Sequence, residues 1–281
     1  MSLARRTQER LLAMKAASAP AHGSGHTNST AAAPAAVDHA RAARAPGGSV
    51  AATIAMRLTH DLRRLSDIKA IEKKIAAKRE MLPEYRAWVD GVLEAGAMTN
   101  GNQLGPTGAD DVLPTIMVWS IDTANWTRAL TLAAHMLRFG VPLPARYNRD
   151  LPTLVLEEIA VAALKVQAKG ERFPIDVLEA VEELTLGIDM HDEPRAKLMK
   201  AIGTELVAAA NDATADQARD LADRALAKLR HAQDLNTRVA VKGQIKGLEK
   251  LRAALPAPAT IPPAEPAAGN APADPGVGEE A

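Results

Sequence analysis

Apolar residues recur along most of this chain at intervals of three and four, the spacing that places them on one face of an α-helix. The clearest stripe runs at steps of 4, 3, 3, 3 and 4 through Leu58, Leu62, Leu65, Ile68, Ile71 and Ile75. It predicts one long helix over residues 51–81. The period-two alternation of β-branched residues that is typical of strands is nearly absent, so the sequence predicts an all-α fold.

Start and stop signals divide the rest of the chain into further helices. Asn125 is placed to cap a helix that Gly140 ends, and Thr214 with Gln217 forms a capping box. A segment that is apolar on all sides, at about 112–121, should be central. The other predicted helices lie near residues 84–95, 152–169, 174–186, 193–210 and 241–255. The last two helices of the chain are expected to form a helical hairpin, and no repeating period runs through the sequence.

Both ends of the chain have compositions that do not support a core. Ala, Pro, Gly and Ser dominate the front, and residues 256–281 are mostly Pro, Ala, Gly and acid with no basic residue. Such segments bury too little apolar surface to offset the entropy of ordering them. We therefore expect a mostly disordered segment at 1–50, a basic helix at 51–81, a helical assembly and partner-binding body at 82–255 and a disordered acidic tail at 256–281.

The net charge of zero conceals a strong asymmetry along the chain. Residues 1–80 contain 14 Lys or Arg against 6 Asp or Glu, whereas residues 256–281 contain 4 acids and no base. A basic front, a nearly neutral body and an acidic tail favour a polyanion-binding end joined to a protein-binding body.

The basic residues of the first predicted helix are the candidate DNA-binding site. They are Arg57, Arg63, Arg64, Lys69, Lys73, Lys74, Lys78 and Arg79. An ordinary solvated helix face is the alternative interpretation. Proteins that bind single strands stack bases on aromatic side chains, and all seven aromatic residues of this chain lie outside this helix. Double-stranded DNA is therefore the expected ligand.

Several classes of function lack their sequence signals. The chain has no cysteine, which removes disulfides and thiolate sites and is typical of a reducing cytosol. No apolar run is long enough to cross a membrane and no ATP-binding P-loop occurs, so we expect no membrane association and no nucleotide cofactor. Neither a catalytic nor a metal-binding residue is assigned.

The acidic stretches are assigned structural roles. Asp189, His191 and Asp192 carry metal-ligand chemistry at close spacing, but Asp192 before Glu193-Pro194 is typical of a helix cap. The Glu157–Glu158 and Glu182–Glu183 pairs are expected on solvated helix faces.

Longer runs of sequence carry a family resemblance over about residues 57–252. They include MLPEYRAWVDGVLEAG at 81–96, DDVLPTIMVWSIDT at 110–123, ALTLA at 129–133, LRFG at 137–140, PLP at 142–144, EEIA at 157–160 and DMHDEPRAKL at 189–198. In these runs and their order the chain resembles the small terminase subunit of peduovirus-type temperate tailed phages, often labelled the terminase endonuclease subunit.

The resemblance implies a DNA-packaging protein of the bacterial host cytosol. Such a subunit recognises the cohesive-end site of the phage genome, binds a large subunit that holds the packaging ATPase and nuclease, and usually forms a homo-oligomer. An endonuclease is the alternative, with acids gathered around a divalent ion from among Asp110, Asp111, Glu157, Glu158, Asp189 and Asp192. A helical scaffold without a DNA role is a third interpretation.

Overall fold

The computed structural model describes residues 46–101, 103, 105 and 107–255, and every regular element among them is helical. The expected all-α fold is confirmed. The helices are α1 Pro46–Asp67, α2 Ile71–Met81, a 3-10 turn Leu82–Tyr85, α3 Arg86–Ala97, α4 Val112–Asp122, α5 Trp126–Phe139, α6 Leu151–Gln167, α7 Ile175–Leu184, α8 Asp192–Asp212, α9 Ala215–Leu235 and α10 Lys242–Ala254. Residues 1–45 and 256–281, where the tails were expected, lie outside the described residues.

The expected single helix over 51–81 is wrong, because the chain folds back after α1. Residues 68–70 are not helical, and Ala70 is extended at φ −76°, ψ 129°. Near the end of α1 the Ser66 hydroxyl donates to the Arg63 carbonyl at 2.6 Å, a local bond that competes with helix continuation. A straight helix of this length would extend about 45 Å. Folding back instead lets α2 bury Ala77 and Met81.

Ion pairs join α1 to the segment that follows the turn in reverse order, Arg64 with Glu80 and Arg57 with Glu84, and one buried polar contact anchors the hairpin to the body. On α1, Asp61 accepts a hydrogen bond from the Tyr85 hydroxyl at 2.7 Å. The Tyr85 ring meets Trp119 of α4 edge to face, with ring centroids 5.8 Å apart. Both aromatic side chains are buried. The hairpin therefore packs against α4, the apolar helix that the sequence predicted to be central.

Local signals defined α5 correctly. Asn125 Oδ1 accepts from the Arg128 amide at 3.4 Å, and Gly140 ends the helix in the left-handed region at φ 62°. Two other caps differ from expectation. His191, not Asp192, occupies the N-cap of α8, and Thr214 makes no capping hydrogen bond to α9. The predicted C-terminal hairpin is confirmed: Arg230 of α9 pairs with Glu249 of α10 at 2.8 Å.

In the body, helix α8 packs against both α6 and α9. Gly203 of α8 lies against Leu229 of α9, where an added Cβ would come within 2.5 Å of Leu229 Cδ2. The two longest body helices therefore approach closely at this point. Within the described part of the chain, no helix combines the length and apolarity needed to cross a membrane.

Candidate nucleic-acid interface

The eight basic residues predicted to contact DNA all lie on the α1–α2 hairpin, but on both arms. Arg57, Arg63 and Arg64 belong to α1, Lys69 lies in the turn, and the other four belong to α2. The cations are thus divided between two helices and the turn that joins them, and are not spread along a single helix.

Three of the eight are compensated by carboxylates. Arg57 Nη1 lies 2.8 Å from Glu84 Oε2, and Arg64 Nη2 lies 3.2 Å from Glu80 Oε2. Both arginines are about half exposed, and such pairs contribute at most about 1 kcal/mol each. Lys78 Nζ is 2.5 Å from Asp122 Oδ2, and its side chain is only 17% exposed. This lysine fastens α2 to the end of α4, so its charge is not free for a ligand.

The other five cations, among the residues that the structure describes, have neither an ion pair nor a hydrogen bond from their side chains. They are Arg63, Lys69, Lys73, Lys74 and Arg79. The first four surround the turn and are called the hairpin tip below; three of them are exposed and Lys74 is half-buried. Asp67 and Glu72 are also exposed there. The tip therefore keeps a net positive charge that faces solvent.

Arg79 lies apart from the tip and lines a cavity at the base of the hairpin. Arg86 of α3 and Arg128 of α5 line the same cavity. No sequence pattern marks these two arginines, because 42 residues separate them and neither belongs to a basic run.

The Asp61–Tyr85 anchor was also missed, although Asp61 gave a signal. It lies between Leu58 and Leu65 on the apolar stripe of α1, where a carboxylate requires a buried partner. Burial of the Tyr85 hydroxyl, and next its hydrogen bond to Asp61, raise its pKa far above the ordinary value. The Tyr85 hydroxyl therefore keeps its proton and remains the donor of this hydrogen bond across the working range of pH.

The acids considered for an endonuclease site do not converge in the described residues, where no three His, Cys, Asp or Glu side chains form a metal-binding group. Asp110 accepts from the Thr107 amide at 2.9 Å and closes a turn. Glu157 is buried rather than on a solvated face, contrary to expectation. It contacts Arg149, and its Oε1 lies 2.9 Å from Lys197 Nζ.

The hairpin and the cavity lie in a region that is shared with known proteins. Residues 55–193 match the model of a family described as phage small terminase subunit. The chain is similar to the protein named terminase, endonuclease subunit, of Escherichia phage P2, with 38% identity over 197 residues, which cover 69% of this chain and 71% of that relative. No solved structure matches the chain.

Proposed function

This chain belongs to the phage small terminase subunit family and has a terminase role in DNA packaging; we propose that it recognises the cohesive-end site of the viral genome and recruits the large subunit. The observation that carries the DNA contact is the hairpin tip. Its four cations have no carboxylate partner among the described residues, and three of them are exposed. Phosphate contacts of this kind supply nearly all of the non-specific affinity of proteins for duplex DNA and a large share of the specific affinity.

Duplex rather than single-stranded DNA is the ligand that suits this surface. Neither hairpin arm carries an aromatic residue. The chain's largest aromatic side chains serve elsewhere: Trp119 is buried against Tyr85, and Trp126 packs on Phe173 with ring centroids 5.2 Å apart. With no platform for stacking bases, the hairpin tip binds through phosphate charge.

We propose that the body, residues 82–255, binds the large subunit and a second copy of this chain. Its support is the compensation of charge on α9, where Arg224, Lys228 and Arg230 each pair with an acid of a neighbouring helix, as Arg224 does with Glu179 at 2.9 Å. In a homo-oligomer each subunit adds its own hairpin to the same duplex, so affinity rises through effective concentration. The expected place of action is the host cytosol.

Salt-dependent binding tests the DNA contact directly. Arg63→Gln, Lys69→Gln and Lys73→Gln combined should reduce the dependence of log K on log salt by about 0.9 for each phosphate that the variant no longer neutralises. The matched control is Lys242→Gln, Lys246→Gln and Lys250→Gln, three exposed lysines on α10. Fluorescence anisotropy with a cohesive-end duplex measures both, and circular dichroism checks that each variant folds. A hairpin variant that keeps the wild-type slope would overturn the assignment.

An endonuclease is the second candidate, favoured by the name of the phage P2 relative, terminase, endonuclease subunit. It is distinguished by incubating the purified chain, without the large subunit, with magnesium or manganese and a plasmid that carries the cohesive-end site. Nicking that Glu158→Gln or Asp189→Asn abolishes in a folded protein would establish it. If the wild-type protein binds the plasmid without nicking it, the endonuclease hypothesis for this chain alone fails and cutting is assigned to the large subunit.

A further inference from the structure

A cavity of about 570 Å³ opens at the base of the hairpin, between α3 and the start of α5. Three arginines from three different helices line it: Arg79 of α2, Arg86 of α3 and Arg128 of α5. Asp90 is the one carboxylate among the residues that line it. This arrangement gathers positive charge in a concave space rather than on a flat helix face.

The charge of the cavity is only partly compensated. Arg128 Nη2 is buried and lies 2.6 Å from Asp90 Oδ1, yet it has no hydrogen bond of good geometry. In the described part of the chain, Arg79 and Arg86 have no carboxylate partner, and both are exposed. Two guanidinium groups at the cavity therefore have no carboxylate that compensates their charge, and a third has an N–H without a hydrogen bond.

The start of α5 adds to the same potential. Asn125, Thr127, Arg128 and Thr131 line the cavity, so the first turns of a 14-residue helix, where it has partial positive charge, border this space. The floor is apolar, formed in part by Val89 and Ile116, which limits hydration of the charges around it. The cavity therefore favours an anion.

Phosphate is the anion that the proposed duplex contact brings to this cavity. The planar guanidinium fork matches two phosphate oxygens at once. None of the residues that line the cavity is aromatic, so the site offers no stacking surface for a nucleotide base.

Given the duplex contact proposed above, we propose that this cavity holds one phosphate of the DNA backbone, gripped by Arg79, Arg86 and Arg128. Arg79 connects the cavity to the hairpin, so the phosphate is held at the base while the tip contacts neighbouring ones. The contact carries no sequence information and fixes the register in which the hairpin meets the duplex.

Replacement of Arg86 tests this site, because its side chain is exposed and its removal leaves no buried group unpaired. Arg86→Gln should weaken binding of a cohesive-end duplex about tenfold or more, as expected for a charge-assisted hydrogen bond. Arg79→Gln with Arg86→Gln should lower the salt slope by about 0.9 and not twice that, because both groups neutralise one phosphate. Arg238→Gln, at an exposed arginine before α10, is the matched control.

A scan of the duplex with neutral methylphosphonates identifies the phosphate. One substitution should weaken the wild type and have no further effect on the Arg86→Gln variant. If Arg86→Gln binds as the wild type does while the hairpin-tip variant is impaired, the cavity assignment fails and the proposed function stands; if both variants bind normally, the proposed function fails as well. Thermal stabilisation of the wild type by inorganic phosphate, with no methylphosphonate position coupled to Arg86, would assign the cavity to a free anion and overturn the backbone contact.

Discussion

Removing the Tyr85 hydroxyl tests the anchor that holds the hairpin on the body. Tyr85→Phe keeps the ring and its edge-to-face contact with Trp119, but deletes the donor that lies 2.7 Å from Asp61 Oδ2. Asp61 is only 9% exposed, so water cannot fully replace the missing partner. Hydrogen bonds to charged groups contribute about 1.5–3 kcal/mol. We expect the free energy of unfolding to fall by about 2 kcal/mol.

Urea unfolding followed by circular dichroism measures this decrease. A second variant separates the hydrogen bond from simple disturbance of the core. Combining Tyr85→Phe with Asp61→Leu replaces both polar partners by apolar groups, which should recover part of the stability because no carboxylate is then left unpaired. Binding of the duplex by folded Tyr85→Phe should keep the wild-type salt slope, since the tip is untouched. A Tyr85→Phe variant as stable as wild type would refute the anchor.

Two further predictions concern close packing and acid. Gly203→Ala should lower the free energy of unfolding by about 1–2 kcal/mol, because the new Cβ would meet Leu229 Cδ2 at 2.5 Å. Gly247→Ala, where nothing lies within 4 Å of the new Cβ, should raise it by about 0.5–1 kcal/mol. Equal shifts of the melting temperature with the same sign would contradict the packing of α8 on α9. Burial, and next the charge of Arg138, lower the pKa of His135 to about 4. The unfolded chain takes up this proton near pH 6.5, so stability is full above that pH and falls by about 3 kcal/mol in total as the pH drops toward 4. His135→Gln should flatten this acid limb in unfolding measured across the same range, and an unchanged limb would show that other groups cause it.

The parts of the fold that could be predicted are those with local causes. Asn125 and Gly140 bound α5 because a side-chain cap and a left-handed glycine act within a few residues of the helix ends. The apolar surface of α4 predicted its central position for the same reason. Nothing comparable marks the turn at residues 68–70, which contains neither Gly nor Pro. The apolar stripe continues through it, and the chain turns because burial of Ala77 and Met81 is available only when it folds back.

The candidate site was predictable in composition but not in geometry. Eight cations at 57–79 could be read directly, whereas their division into free and paired depends on Glu80, Glu84 and Asp122. The burial of Glu157 likewise depends on Lys197, which lies 40 positions along the chain and on another helix. Contacts of this kind follow from the packing of helices, and no local pattern reports them.

The turn at residues 68–70 also bears on how relatives of this protein can diverge. Side chains at the tip, such as Arg63, Lys69 and Lys73, make no contact on which the core depends, so substitution there costs little stability. The base of the hairpin has no such freedom, because Asp61 and Tyr85 are buried together. Relatives can therefore change the tip and keep the base. Drift in sequence should concentrate at the turn, and exchange of the tip between relatives should change duplex affinity and its salt dependence with the fold intact.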